Sequence, residues 1–423
     1  MTSAQIDHVQ DAAERLLIVG GGMASVKLCE ELAVRAPGRF AVTIVGAEPR
    51  AGYNRVLLSA LLAGEVGEAD IALRDEAWYR AHGFRLIPGR RVEALNLAGR
   101  AARLCDGSEI GFDRVVLATG SIAMRPPVPG MNSANVMTFR DLADLPALEA
   151  AARQKRRVVV IGGGLLGIEA ACALAKRGAA TTLVHVMDRL MERQLDARSA
   201  SFLKRAIERK GVAVRLKAET LRVEDAAGAK ALVFADGGRL AADLVVVAVG
   251  VRPNAALAKS AGLEVGRGVK VDDAMTATVP FAHAIGECVE HRGVVCGLVE
   301  PAYDQARVLA RRLAGDVNAR YEGAALATNL KVSGIPVFSA GESMDATGAQ
   351  TMTLEDRALG VCKTLVLRGD RLIGAILVGE ADDALWYRDL IRGSANVAPF
   401  RDRLIFGRAM CGLGDETSIQ EAA

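Results

Sequence analysis

Two glycine-spaced runs carry the clearest chemistry in the sequence. Gly20, Gly22 and Ser25 follow the apolar run Leu16–Val19, and Gly162, Gly164 and Gly167 follow Val158–Ile161. In the pattern G-x-G-x-x-G the first glycine makes a tight turn. The second lets the backbone approach a pyrophosphate, and the third lets a helix pack closely on a strand. The helix start then offers free N–H groups and a partial positive charge to the anion. Such spacing alone is a weak signal; a strand before it and a helix after it, both times, give it weight. The second copy is complete. In the first, Ser25 stands third and adds a hydroxymethyl group, which predicts slightly looser helix–strand packing with binding retained. Met23 and Ala24, and likewise Leu165 and Leu166, open the two helices beside the anion.

The strand after each turn is expected to end in a residue that reads a ribose. In the first unit that residue is Glu48, in Val45-Gly46-Ala47-Glu48-Pro49. A carboxylate there accepts two ribose hydroxyls and repels a 2′-phosphate. In the second unit the matching position is His185, with Asp188 and Arg189 just beyond it. A neutral histidine is indifferent, Asp188 disfavours a 2′-phosphate and Arg189 favours one. The balance leans slightly to NADH over NADPH.

The elements that position these residues can be read from the surrounding pattern. Both apolar runs are short and β-branched, which favours strand over helix. Each is followed by an Ala/Leu-rich helical pattern ending near Gly38 or Gly178, then by a second apolar run, Ala41–Val45 or Thr181–Val186. This is a βαβ unit, present twice. Two more strands end in small-residue turns: Val115–Leu117 before Ala118-Thr119-Gly120, and Leu244–Val249 before Gly250. Another ends in Gly286-Glu287-Cys288. A helix is predicted to start near Pro301, a residue type favoured at the first helical position.

Length and composition set the frame. The 423 residues suggest about three domains. Apolar residues at 51% and charged residues at 24% exclude a disordered or collagen-like chain. A net charge of +3 is too mild for a dedicated nucleic-acid binder. The N-terminal stretch carries Asp7, Asp11 and Glu14 and does not read as a secretory signal. The most apolar stretch, Val158–Ala175, is interrupted by glycines and Glu169, so no membrane span is expected. The seven cysteines form no C-x-x-C and no zinc-type or iron–sulfur-type spacing. Their odd number suits a reducing, cytoplasmic location. Cys288 and Cys296 read either as a metal or redox pair or, more simply, as small buried apolar residues. Isolated His82 and His283 read as structural, and Arg153–Arg157 as a solvated linker or a basic steering patch.

Taken together, these motifs resemble the flavoprotein family with two dinucleotide-binding domains, which includes glutathione-reductase-like enzymes and rubredoxin and ferredoxin reductases. Tyr53–Ser59, Val184–Asp196, Gly286–Gly293, Thr328–Gly334 and Leu404–Gly407 are similar, more narrowly, to the flavin-containing N-terminal region of assimilatory NAD(P)H-dependent nitrite reductase large subunits. The resemblance covers roughly residues 14 to 408. It implies an α/β fold with two Rossmann-like domains and a smaller α+β C-terminal domain. FAD would lie on the first cradle and NAD(P)H on the second. Gly20, Gly22, Met23, Ala24, Ser25, Glu48, Arg55, Ser59, Ala118, Thr119, Gly120, Gly286, Glu287 and Pro301 would attend FAD. Gly162, Gly164, Leu165, Leu166, Gly167, His185, Arg189 and Gly250 would attend NAD(P)H, with Glu169 near the nicotinamide. Glu287 replaces the commoner Asp. No metal is expected.

The implied domains are 14–122 with 248–318 for FAD, 123–247 for NAD(P)H and 319–408 at the C-terminus, where Trp386, Tyr387, Leu390 and Ile391 form an amphipathic helical face. The tails 1–13 and 409–423 are expected to be loose. The implied function is hydride transfer from NAD(P)H to FAD and electron transfer to a separate acceptor protein of a nitrate or nitrite reductase system, with a homodimer contact allowed. The related large subunits continue into iron–sulfur and siroheme domains, and the sequence here reaches Ala423 without a cluster-ligand cysteine set. The resemblance therefore implies that a partner supplies that centre. A rubredoxin or ferredoxin reductase is the alternative, and a flavin-bound redox sensor is a further one. A thiol- or peroxide-type enzyme is disfavoured, because residues 49–65 contain no cysteine.

Overall fold

The computed structural model describes residues 13–226, 228–323, 327–344 and 346–412. The chain divides into two compact units. One comprises Met1–Leu57, Gly67–Ile122 and Val251–Ala324; the other comprises Leu58–Val66, Ala123–Gly250 and Ala325–Ala423. The C-terminal region thus groups with the second unit, and so does the short segment Leu58–Val66.

The first unit is built on five parallel strands in the order Ala282–Ala284, Arg114–Leu117, Glu14–Val19, Phe40–Val45, Arg85–Ile87. The second repeats the plan with Val136–Thr138, Leu244–Val247, Arg157–Ile161, Ala180–Val184, Ala213–Arg215. In each unit the strand that stands fourth in the shared plan, Arg114–Leu117 or Leu244–Val247, follows a three-stranded antiparallel sheet, over residues 92–111 or 220–242. The outermost strand beside it differs in origin: Ala282–Ala284 follows the shared plan in the chain, and Val136–Thr138 comes before it.

Parallel strands bury both faces, so their side chains read as unbroken apolar runs. Along the first strand the period of two assigns each residue to a core. Leu16 and Ile18 pack with Leu28 and Leu32 of helix Met23–Arg35 and with Leu309 and Leu313 of helix Val299–Leu313. Leu17 and Val19 face the other way, among Leu95, Ala102 and Leu104 of the antiparallel sheet. Each such buried side chain contributes ~1.5–3 kcal/mol.

The duplication extends to polar contacts that sequence pattern did not reveal. Arg15 donates from its backbone N–H and guanidinium to Asp113 at 2.7–3.1 Å. Arg157 does the same to Asp243 at 2.6–3.2 Å. Each clamp ties the start of the central strand to the residue before the fourth strand. The guanidinium holds the Asp113 carboxyl down at about 2. Arg157 is therefore engaged structurally and is not a free member of the basic run 153–157.

In the C-terminal region five antiparallel strands follow the order 327–332, 335–341, 371–378, 361–368, 350–356. Val361–Arg368 and Arg371–Val378 form a hairpin turned at Gly369 and Asp370. Helix Ala384–Arg392 buries Tyr387 and Leu390 on the sheet, and the Tyr387 hydroxyl donates to the Leu404 carbonyl at 2.7 Å. Residues 1–12 and 413–423 lie outside the described residues. Arg408–Cys411 forms a short 3₁₀ turn that buries Cys411. Among the described residues no helix is long and apolar enough to cross a membrane.

Candidate functional site

Both glycine turns lie at the carboxyl end of the central strand, and each of their glycines has its own reason to be glycine. Gly20 and Gly162 have φ of +121° and +124°, which side-chain-bearing residues rarely adopt. A Cβ on Gly20 would stand 2.1 Å from the Ala118 carbonyl oxygen, and one on Gly162 would stand 2.2 Å from that of Ala248. The first glycine is thus demanded by the end of the fourth strand, and this is the structural part played by Ala118. A Cβ on Gly167 would lie 2.0 Å from the Gly162 carbonyl oxygen, so the third glycine is demanded by helix–strand contact.

Ser25 occupies that third place in the first cradle. Its hydroxyl donates to the Gly20 carbonyl at 2.6 Å. A hydrogen bond therefore ties helix to turn at the place where Gly167 makes close contact in the second cradle.

The middle glycines are different. Nothing lies within 4 Å of a Cβ on Gly22 or Gly164. Both are helix N-caps with extended backbone and no capping side chain. The first-turn N–H groups at Met23, Ala24, Leu165 and Leu166 are left without intrahelical acceptors, as at any helix start. The chain itself does not need glycine at 22 or 164. An anion approaching the backbone would, and the residues present fit the pyrophosphate of a dinucleotide.

Around the first cradle, Glu48 accepts from the Tyr53 hydroxyl at 2.7 Å and from the Arg55 guanidinium. Arg55 therefore meets the carboxylate predicted to read the ribose. Thr119 donates from Oγ1 to the Asn254 carbonyl at 2.6 Å, and Asn254 N–H donates to the Gly120 carbonyl at 2.9 Å. Gly286, at φ +82°, donates its N–H to Gln305 Oε1 at 2.7 Å, and its Cβ position lies 3.1 Å from Ala24. That contact seats the Gly286-Glu287 turn on the start of the first helix. Ser121 Oγ donates to Glu287 Oε2 at 2.7 Å.

The helix expected to start near Pro301 begins at Val299. Leu298 is its N-cap, so Pro301 is third in the helix and buried. Leu298 carries no capping side chain, so Pro301 is the one local signal of this start. The free N–H groups there belong to Val299 and Glu300, since proline has none.

In the second unit His185 follows the strand end, but its ring is turned inward. It is buried, its Nδ1 accepts the Gly163 N–H at 3.0 Å, and its Nε2 meets Glu192 Oε2 at 3.0 Å. It does not present itself to a ribose as the sequence predicts. Arg189 donates to the Leu195 carbonyl at 3.2 Å and to Asp188 at 3.0 Å. Gly250 is exposed at φ +115°, and its carbonyl accepts the Met124 N–H at 2.9 Å.

Ser59 and Glu169 are 110 residues apart in sequence, yet Ser59 Oγ donates to Glu169 Oε2 at 2.9 Å within the second unit. Ser59 belongs to the short helix Leu58–Leu62, and Glu169 to the helix of the second cradle, Leu165–Lys176. Burial raises the Glu169 carboxyl to about 7, against the lowering effect of the Ser59 hydrogen bond. Glu169 therefore holds a proton near neutrality. An acid raised on folding stabilises the fold below its unfolded value and loses that contribution as pH rises through its folded one. Stability is expected to fall between about pH 4.5 and 7 by at most ~3.5 kcal/mol from this group, at ~1.4 kcal/mol per unit. Urea unfolding of Glu169→Gln across that range should show this component gone. An unchanged slope would contradict the placement.

The remaining candidates resolve structurally. His82 Nδ1 meets the Trp78 carbonyl at 2.8 Å. His283 is buried and pushed down to about 4 by desolvation. Cys288 is buried against the Leu117 and Ile285 carbonyls.

Comparison with known proteins agrees with this geometry. The family model described as pyridine nucleotide-disulphide oxidoreductase matches residues 14–307, and that of the rubredoxin NAD+ reductase C-terminal domain matches residues 327–395. The chain is 39% identical to a nitrite reductase [NAD(P)H] of Bacillus subtilis over 91% of its own length and 48% of the relative's. It is 37% identical to the assimilatory nitrate reductase electron transfer subunit of the same organism, over 88% and 48%. The chain thus spans about half the length of these two relatives. The crystal structure of a ferredoxin reductase from Rhodopseudomonas palustris superposes with a TM-score of 0.81 at 26% identity, covering 91% of this chain and 96% of that one.

Proposed function

The chain belongs to the pyridine nucleotide-disulphide oxidoreductase family, and we propose that within it this protein is an electron-transfer reductase that passes electrons from NAD(P)H through FAD to a separate acceptor protein. The acceptor is a component of a nitrate- or nitrite-reducing system. The observation that carries this reading is the repeated cradle, with a middle glycine in each copy that only a ligand requires.

When bound, FAD and NAD(P)H supply the hydride and single-electron chemistry. The protein's own residues bind and orient. Gly22 and Gly164 admit pyrophosphate to the helix starts, where backbone N–H groups meet the charge. Glu48, braced by Tyr53 and Arg55, presents a carboxylate oriented for ribose hydroxyls in the first cradle. Glu287, oriented by Ser121, places a second acceptor beside the same helix start. Glu169 places a buried carboxyl, raised by that burial to about 7, on the second cradle's helix. No side-chain nucleophile is needed.

The nitrate and nitrite reading draws on the two Bacillus subtilis relatives. The second reading, a rubredoxin or ferredoxin reductase, draws on the C-terminal match and on the Rhodopseudomonas palustris structure. A cytoplasmic location and a homodimer belong to the proposal as well. The test is direct. The purified chain should release FAD on denaturation, its flavin should bleach anaerobically with NADH, and it should turn over ferricyanide. Among protein acceptors, a siroheme nitrite reductase component should outpace rubredoxin and ferredoxin. A chain that takes up no flavin even on reconstitution ends the proposal, and faster rubredoxin or ferredoxin reduction selects the second reading.

A further inference from the structure

The two cradles are equivalent in backbone, which makes a difference between them informative. Gly20 N–H donates to the Val45 carbonyl at 2.8 Å, and Gly162 N–H donates to the Val184 carbonyl at 2.9 Å. Val45 therefore matches Val184, Gly46 matches His185, and Glu48 matches Met187. In the first cradle Gly21 faces Gly46, which has no side chain, at 3.4 Å from its Cβ position. Two residues on, Glu48 supplies the carboxylate. In the second cradle the space left by Gly46 is filled by the His185 ring, 2.6 Å from the Cβ position of Gly163. The residue matching Glu48 is Met187, exposed and without charge.

A carboxylate nonetheless stands one hydrogen bond beyond the His185 ring. Since Gly163 N–H donates to His185 Nδ1, that nitrogen carries no proton, and Nε2 donates to Glu192 at 3.0 Å. Met191 N–H donates to the Gly163 carbonyl at 2.9 Å, so the loop that carries Glu192 is pinned to the cradle on both sides of the Gly163 peptide unit. The Glu192 side chain keeps 24% of its surface open. Arg189 of the same loop is engaged by Asp188 and by the Leu195 carbonyl.

We propose that Glu192, positioned by His185, is the carboxylate that reads the adenosine ribose of the nicotinamide dinucleotide, and that it makes this chain select NAD(H) over NADP(H). The inference rests on the assignment of the second cradle to that cofactor. A carboxylate accepting from the two ribose hydroxyls loses both the hydrogen bond and charge compatibility when the 2′ position carries a phosphate. His185 is a positioning residue: it does not touch the cofactor but fixes where the carboxylate stands.

The test is equilibrium titration of the flavin-loaded full chain with NAD+ and with NADP+, which requires no turnover. The wild-type protein should bind NAD+ at least about tenfold tighter, a difference of ~1.4 kcal/mol. Glu192→Gln should shrink that ratio about tenfold, partly by tightening NADP+, and Glu192→Asp should retain most of it. His185→Ala should move the ratio in the same direction as Glu192→Gln. Asp188→Asn, a nearby acid outside the dyad, should change it less than about threefold. A Glu192→Gln ratio within about threefold of wild type overturns the inference, as does a larger shift from Asp188→Asn than from Glu192→Gln. If the wild-type chain binds neither dinucleotide, the assignment of the second cradle fails instead.

Discussion

The Gly162→Val variant is expected to purify yellow, with its flavin in place, and to lose measurable affinity for NADH. Two independent costs meet at this position. The backbone at φ +124° lies where a β-branched residue is a strained outlier. The new Cβ would stand 2.2 Å from the Ala248 carbonyl oxygen and 2.7 Å from its carbon, both backbone atoms that cannot swing aside. The turn must therefore open, and the Gly162–Val184 hydrogen bond that sets it is lost. Opening displaces the start of helix Leu165–Lys176, whose N–H groups are the proposed pyrophosphate donors. A weakening of at least ~100-fold, ~2.7 kcal/mol, follows from losing their alignment. Flavin should persist because Gly20, Gly22 and Ser25 belong to the other unit. The measurement is NADH titration alongside flavin absorbance per chain, with circular dichroism to confirm folding. Unchanged NADH affinity would contradict the assignment, and a folded but colourless product would mean that the two sites are not separate.

How legible this was in the sequence depends on which physical rule governed each feature. The strands and the glycine turns follow from local pattern: an apolar β-branched run buried on both faces, then glycines where the backbone must turn. The tight hairpin at Gly369 and Asp370 is equally local. The duplicated Arg15–Asp113 and Arg157–Asp243 clamps were not legible, because each joins residues 98 or 86 apart and surface arginines carry no periodic signal. Ser59 and Glu169 meet for the same reason of tertiary proximity alone. His185 illustrates a subtler gap. Spacing placed its backbone at the strand end correctly, but side-chain direction was set by a free Gly163 N–H and by Glu192. The helix start near Pro301 was legible only to within two residues, because a capping side chain would mark it more sharply and Leu298 provides none.

Gly22→Val is expected to leave the fold intact and still yield a colourless protein. The argument is the converse of that for Gly162. The backbone at Gly22, φ −84° and ψ −170°, is extended and open to any residue. No atom of the chain lies within 4 Å of its Cβ position. Valine there meets no protein atom at its branch point, so the stability of the flavin-free chain should fall by no more than the ~1 kcal/mol that a less favourable N-cap residue costs. The added methyl groups instead occupy the approach to the uncapped helix start, where the pyrophosphate must come close to the backbone. Flavin bound per chain should fall at least ~10-fold on reconstitution, a loss of ~1.4 kcal/mol or more. Because the fold does not depend on this glycine, lost colour cannot be ascribed to unfolding. A Gly22→Val protein that takes up flavin as the wild type does would show that the open space beside the first helix is not where the dinucleotide's phosphates lie, and the same substitution at Gly164 poses the matching question for NADH.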